Sequence, residues 1–370
     1  MSITSRRATA APKLPTAGRM RDLNPGWFAS AMGTGILAVT TYTNPGGWAP
    51  LASAARGLGV ALALVAYALG VLLLVAYAIR WVAHTEAALA DFRHPVKGAM
   101  HATLPGGLLV LAVMTSVVSP SLLSPSTATW VIGAVAAVGG ILAFVMAVAF
   151  TLTLVTGEPA AASVNGGWFI PPVVTIIMPM AIAPLISHVD PAAAGLLTAL
   201  GFALFGMGFL LFLLTLGLLY DRLILHPLHP APLAPTIWIG LGPIGVASLA
   251  PMALARAGAP LWGDASTAVS LLTRLASTAM WGFGLWWLAL AAALLVRYVR
   301  KGGVPFHLGW WAFVFPLGAY TAATLTLARS WHSPVLEGFA VVLFAGLLAA
   351  WGIVTARTLI GIRSGRIWAS

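Results

Sequence analysis

Ten stretches of about twenty predominantly apolar residues, each long enough to cross a bilayer as an α-helix, account for nearly all of this chain. They lie near residues 26–43, 56–79, 97–118, 128–154, 167–188, 193–219, 233–254, 270–296, 307–328 and 336–359. Short connections join them, and no window reads as a soluble domain or a long linker. The pattern predicts an all-α polytopic membrane protein with ten transmembrane helices. One membrane domain covers residues 23–360, between a basic, disordered tail over 1–22 and a short tail over 361–370.

The stretches are of two kinds. The even-numbered ones carry no proline between their ends and are rich in Leu, Val and Ala, as lipid-facing helices should be. The third, fifth, seventh and ninth carry Pro105, then Pro171, Pro172 and Pro179, then Pro243, then Pro316, while the first carries Gly33, Thr34 and Gly35. An interior proline costs roughly 3 kcal/mol in an isolated helix, and a carbonyl it frees must find a partner in protein or in water at a cavity. Five consecutive hairpins, each joining a weakened helix to a regular one, predict a fivefold repeat of pattern rather than of residue identity. The odd helices would then sit inside, lining a central pore.

Composition agrees with a membrane setting: 60% of residues are hydrophobic and 7% charged, and the mean hydropathy is +0.97. The formal charge of +11 would suggest nucleic acid in a soluble chain. Here, with ten spans, 15 of the 19 Lys and Arg residues fall on one side of the membrane. The positive-inside rule makes that side cytoplasmic, with both termini on it. Arg6 and Arg7 are followed by no apolar segment of the kind an export signal needs, so the first stretch reads as a retained span. There is no cysteine, which excludes disulfides and thiolate chemistry.

Candidate chemistry inside the membrane is sparse. All eight acidic residues fall in loops or at helix ends, which argues against a carboxylate proton relay or a cation pathway. Of the histidines only His101 lies a turn inside a helix, where it is a candidate for tuning an anion entrance. His226 and His229 are spaced loosely like metal ligands but read better as a solvated loop pair. Neither a nucleophile triad nor a phosphate-binding loop is present, and the chain is expected to be no enzyme and to hold no metal or cofactor. What the odd stretches do hold is small and neutral: Gly33, Thr34, Gly35, Thr103, Gly106, Gly107, Thr115, Thr175, Gly240, Gly242, Gly245, Ser248, Thr321 and Thr324. Such residues either let helices pack closely or line a narrow neutral conduit, and the basic cytoplasmic mouth tilts that conduit toward anions. Two other classes compete. A membrane-embedded enzyme needs converging ionisable groups, for which only His101 offers itself. A non-conducting sensor or scaffold needs a partner domain or long charged tail, whereas the chain ends about ten residues past its last helix.

Three runs resemble a known family. Pro25-Gly26-Trp27-Phe28-Ala29-Ser30-Ala31-Met32-Gly33-Thr34-Gly35 opens the first helix, Arg93-His94-Pro95-Val96 enters the third, and Trp310-Trp311-Ala312-Phe313-Val314-Phe315-Pro316 lies in the ninth. Together they resemble the tellurite-resistance/dicarboxylate transporter family, which includes TehA-like bacterial proteins, fungal malate permeases and sulfite exporters, and plant slow anion channels. The resemblance spans residues 24–360 and implies five hairpins around a pore, in a homotrimer of the cell membrane. It also implies transport of small anions, of the malate-like dicarboxylate, sulfite, nitrate and chloride class; if conduction is passive, a negative-inside membrane potential makes efflux the favoured direction. A phenylalanine of the ninth helix would occlude the pore beside its proline kink at Pro316. Phe315 is the best match, Phe313 the alternative, and Phe169 a second aromatic at the constriction.

Overall fold

Long helices that alternate in length and burial run through residues 16–368, the part of the chain that this computed structural model describes. They are α1 (Phe28–Tyr42), α2 (Ala52–Ala83), α3 (Thr103–Val118), α4 (Pro125–Gly157), α5 (Ile170–Ile182), α6 (Pro191–Leu225), α7 (Leu241–Ala257), α8 (Ser266–Arg300), α9 (Val314–Ser330) and α10 (Pro334–Ser364). No strand occurs among the described residues. Arg6, Arg7 and Lys13 of the basic tail lie outside them. Among the described residues, nine helical stretches are long and apolar enough to cross a membrane. Helix α1 is not among these nine: it has only 15 residues and is preceded by the 3-10 turn Pro25–Trp27.

Each odd helix packs on the even helix that follows it, giving five hairpins. The odd helices also pack on one another, α1 on α3, α3 on α5, α5 on α7, α7 on α9 and α9 back on α1, so they close a ring. Burial follows this arrangement. In the most apolar windows, 72–78% of residues are buried along α3, α5, α7 and α9, against 17–33% along the even helices. In α1 only Ala29 and Tyr42 escape full burial. The even helices form an outer layer that shows lipid-soluble side chains such as Val71, Leu72, Ile141, Leu214 and Val342.

The weak points lie elsewhere than the proline count predicts. Pro105, Pro171, Pro172, Pro243 and Pro316 all fall within the first three residues of their α-helices. A first-turn N–H has no intrahelical partner to lose, so these prolines mark helix starts rather than mid-span kinks. Ahead of α5, α7 and α9 the chain runs as 3-10 helix, over Gly166–Phe169, Ala231–Gly240 and Leu308–Phe313. True interior prolines are Pro179 in α5 and Pro251 in α7. Even helices run to 31–35 residues, well beyond the expected windows, and α10 extends into the expected C-terminal tail. Past its end Trp368 packs on Trp27 with ring centroids 5.6 Å apart, so both described ends meet at the same end of the bundle.

The inner helices start on a repeated device. Asn24 Oδ1 accepts from Gly26 N–H at 2.8 Å, Asn165 Oδ1 from Gly167 N–H at 2.8 Å, and His307 Nδ1 from Gly309 N–H at 3.0 Å. His94 Nδ1 likewise accepts from Val96 N–H at 3.1 Å. Asn24-Pro25-Gly26-Trp27, Asn165-Gly166-Gly167-Trp168 and His307-Leu308-Gly309-Trp310 are thus one motif used three times. This corrects the expectation of a repeat in pattern alone.

Because Nδ1 of His307 accepts, its proton sits on Nε2, which donates to the Pro232 carbonyl at 2.6 Å. Burial holds this imidazole below its ordinary pKa, against the opposing effect of the bond to Pro232. The unfolded chain then takes up the proton first as pH falls, so stability is full above about 6.5 and declines below it. Melting temperature in detergent from pH 7.5 to 5 should therefore fall for the wild type and fall less for His307→Asn. The asparagine keeps an acceptor for Gly309, whereas His307→Ala should lose about 1 kcal/mol of cap. Equal melting of the Asn and Ala variants at pH 7.5 would mean that the cap contributes nothing.

Candidate functional site

The N-terminal ends of all five inner helices converge on a cavity of about 530 Å³ at the end of the bundle where Trp27 and Trp368 meet. Gly26, Ala29 and Met32 line it from the start of α1, and Lys97, Met100 and Thr103 from that of α3. Asn165, Ile170 and Val173 come from α5, Thr236 and Ile239 from the 3-10 lead of α7, and His307, Trp311, Ala312, Phe315 and Pro316 supply the α9 side. The walls are mostly apolar, and among the described residues Lys97 is the one formally charged side chain on them, with no acid. Helix N-termini carry partial positive charge from unpaired N–H groups. Five of them around one apolar vestibule, with one lysine, make an environment that favours anions.

Lys97 does not stand alone. Its Nζ lies 3.0 Å from Asp91 Oδ1, and the other carboxylate oxygen of Asp91 pairs with Arg80. Arg80 is buried and also donates from Nε to the Arg21 carbonyl at 3.0 Å, tying the N-terminal segment to α2. Burial works against the charge of Asp91, but hydrogen bonds from Lys97 and Arg80 outweigh it and hold the carboxyl below its ordinary pKa. The trio therefore keeps one net positive charge at the rim.

The floor is built from residues in matching register. Met32, Val173 and Phe315 each lie eight positions after the capping residues Asn24, Asn165 and His307, and all three line the bottom of the vestibule. Glycines on the two intervening helices make room for them. A Cβ at Gly242 of α7 would lie 3.5 Å from Phe315 Cε1 and 3.6 Å from Val173 Cγ2, and one at Gly106 of α3 would lie 3.0 Å from Met32 Sδ. Three larger side chains facing two glycines close the five-helix ring, with the Phe315 ring set into the notch at Gly242.

The other expected aromatics fall elsewhere. Phe313 packs edge-on against Trp238 and Trp310, with centroids 5.4 and 5.7 Å away, and Phe315 rather than Phe313 lines the vestibule. Phe169 is buried against Phe212 of α6 and Trp287 of α8, at 5.2 and 6.0 Å, so its ring faces the outer helices instead of the constriction. His101 is buried among Tyr77, Trp81 and Phe92, with Nδ1 3.2 Å from the Lys97 carbonyl, and is not on the vestibule wall. His229, expected to be solvated, is 2% exposed and holds the Val164 carbonyl at 2.7 Å through Nε2. No group of three His, Cys, Asp or Glu side chains suited to a metal occurs among the described residues.

The hydroxyls of the inner helices point to their neighbours rather than into a shared channel. Thr34 accepts from Trp351 Nε1 of α10 at 3.1 Å, and Thr324 accepts from Trp281 Nε1 of α8 at 2.9 Å. Thr115 pairs with Tyr67 of α2. Thr175, Ser248 and Thr321 donate to carbonyls one turn back in their own helices. Gly33 packs on Val314, and Gly35 on Val110. Met32, Val173 and Lys97 escaped the sequence reading as site residues. The shared cap motif, counted forward eight residues, could have found the first two.

Comparison with known proteins places the described bundle in one family. The chain is 30% identical over 349 residues to an uncharacterized transporter of Methanocaldococcus jannaschii, covering 94% of this chain and 96% of that one. It is 25% identical over 354 residues to a protein of Trichophyton rubrum named a sulfite efflux pump, covering 91% of this chain and 90% of the pump. A family model described as voltage-dependent anion channel matches residues 22–359, and the chain belongs to that family, SLAC1.

Proposed function

We propose that this protein passes small anions across the cell membrane along the axis of the inner ring, and that the Phe315 ring is the plug. The observation that carries this reading is the floor of the vestibule, where Phe315 fills the notch at Gly242 beneath an acid-free, N-terminus-lined cavity. An apolar ring in a neutral constriction blocks ions by contact and by dewetting, and conduction requires it to move. Membership of an anion-channel family supports anion transport as the general activity. The similarity to sulfite efflux pumps makes sulfite the first substrate to try, with nitrate, chloride and malate-like dicarboxylates beside it.

Ten spans, counting α1, put the basic connections at the vestibule end, so the vestibule and both termini are assigned to the cytoplasm by the positive-inside rule. A negative-inside potential then adds roughly 2.3 kcal/mol per charge per 100 mV toward efflux. The assembly is taken as a homotrimer with one path per subunit, as the family resemblance implies. Gly33, Thr34, Gly35, Pro105, Pro179, Pro243 and Pro316 remain candidates for lining or flexing the path when it opens. In the closed arrangement they serve packing and helix starts.

Flux of sulfite, nitrate, chloride and malate into liposomes, compared between wild type and Phe315→Ala, tests the plug. The variant should raise flux for at least one anion on the order of tenfold or more, equivalent to ~1.4 kcal/mol or more off the barrier. Phe313→Ala and Phe169→Ala should not. No rise with a correctly folded Phe315→Ala protein would sink the plug assignment, and no flux of any anion in either form would sink the transport reading. Lys97→Gln should lower flux at low salt roughly fivefold, about 1 kcal/mol of local attraction. The deficit should shrink at high salt as the charge is screened, and Lys97→Arg should restore most of it.

A further inference from the structure

A second cavity lies away from the vestibule, on the outer layer where α6 and α8 end. It measures about 370 Å³ and is walled by Pro227 and Leu228 of the loop after α6 and by Arg297, Tyr298 and Lys301 at the end of α8. Arg297 and Lys301 are four residues apart on one helix face. Neither has an acidic partner, since the ion pairs among the described residues are Arg80–Asp91, Lys97–Asp91 and Arg329–Glu337. Behind the wall stands Arg222, only 7% exposed, which donates from Nη1 to the Pro227 carbonyl at 2.7 Å. Its Nε is buried without a hydrogen-bond partner. Asp221, next to it in the chain, is exposed and pairs with none of the three cations.

Basic residues at helix C-termini are ordinary complements of the helix dipole and ordinary topology signals. Neither role calls for a concavity, nor for an arginine buried behind it. The wall is also held in place: the Tyr298 hydroxyl donates to the His229 carbonyl at 2.6 Å, joining α8 to the loop after α6. Large apolar side chains flank the cations on the outward face of the same two helices: Leu225 is 68% exposed, Val299 60% and Val296 48%. The two cations on the cavity wall and the apolar flank sit within about a helical turn of each other, the arrangement a phospholipid presents in reverse.

We propose that this cavity holds the phosphate headgroup of an anionic membrane lipid, with Arg297 and Lys301 as the ligating cations and its acyl chains along α6 and α8. Uncompensated positive charge selects an anionic headgroup over a zwitterionic one. The apolar flank selects a lipid over free phosphate. The site is separate from the anion path and does not depend on the role given to Phe315.

The test titrates purified full-length protein in detergent with dioleoyl phosphatidic acid, dioleoyl phosphatidylcholine or inorganic phosphate, reading bound lipid by native mass spectrometry and melting temperature in parallel. Phosphatidic acid should bind and raise the melting temperature, and phosphatidylcholine should do neither at the same concentration. The double substitution Arg297→Gln with Lys301→Gln should weaken phosphatidic acid binding roughly 30-fold, from two cations at about 1 kcal/mol each. Both residues are exposed, so the lipid-free variant should melt as the wild type does. Unchanged phosphatidic acid binding in the double variant, or equal binding of phosphatidylcholine by the wild type, would overturn the proposal. Stabilisation by inorganic phosphate equal to that by phosphatidic acid would overturn the lipid assignment in favour of a soluble phosphate.

Discussion

Five helices can close a ring around one axis only if their backbones approach, and in lipid that approach has no hydrophobic drive between helices behind it. Packing has to supply the attraction, which favours small residues at the seams. Every seam of the inner ring has a glycine at it. A Cβ on Gly245 of α7 would lie 2.6 Å from backbone atoms of Ala319 and Tyr320 in α9, and one on Gly318 of α9 would lie 2.5 Å from Ile36 in α1. Gly35 meets Val110 across the α1–α3 seam and Gly106 meets Val174 across α3–α5, both at 2.9 Å, while Gly242 faces Val173 across α5–α7. The outer layer leans on the inner one in the same way, with Gly284 of α8 against Tyr320 and Gly208 of α6 against the backbone of Ile176. Adding a methyl group at Gly245, where the obstacle is backbone, would force α7 and α9 apart, whereas at Gly242 it would only touch Phe315 and Val173 at ordinary contact distance.

The same seams explain why the path is apolar. Threonines that might have faced an ion instead tie inner to outer helices, as in Thr34 with Trp351, Thr115 with Tyr67 and Thr324 with Trp281. These bonds satisfy indole and phenol groups that would otherwise be buried in hydrocarbon without partners, at a cost of some kcal/mol each. With the hydroxyls engaged, the floor is left to Met32, Val173 and Phe315, and charge is confined to the rim. Selectivity for anions then rests on the field of five helix N-termini and on Lys97, which act at a distance and do not discriminate finely among anions. Such a site suits broad permeation controlled by a steric plug.

The rim is organised by one buried arginine. Arg80 connects the Arg21 carbonyl, the Ala87 carbonyl and Asp91, and Asp91 in turn holds Lys97. Removing either partner of a buried ion pair leaves an uncompensated charge. The short segment between α2 and α3 is thus fixed to the vestibule wall rather than free in solution. On the opposite side His307 joins the α9 lead to Pro232 of the α7 lead, and His229 joins the next loop to Val164. Both imidazoles are pushed by burial below their ordinary pKa, so these ties hold best when the rings are neutral.

Taken alone, the sequence determined the membrane class, the hairpin order and the alternation of inner and outer helices, because hydropathy and backbone satisfaction in lipid depend on local composition. The Asn24, Asn165 and His307 motif is present in the sequence as three copies of one spacing, but only the hydrogen bonds to Gly26, Gly167 and Gly309 revealed it, and with it the register of Met32, Val173 and Phe315. Tertiary structure decided which face each of those residues shows. Phe313, Phe315 and Phe169 are alike in type and similar in burial, yet only Phe315 meets the vestibule, since the rotation of α9 is set by Gly33, Gly245 and Gly318 on neighbouring seams. The proline pattern misled for the same reason: a proline's effect depends on its place in the hydrogen-bond ladder, and where 3-10 helix gives way to α-helix is fixed by packing around the ring. His101 turned away from the vestibule because Tyr77 and Trp81 of α2, together with Phe92 of the intervening segment, offered it an aromatic pocket.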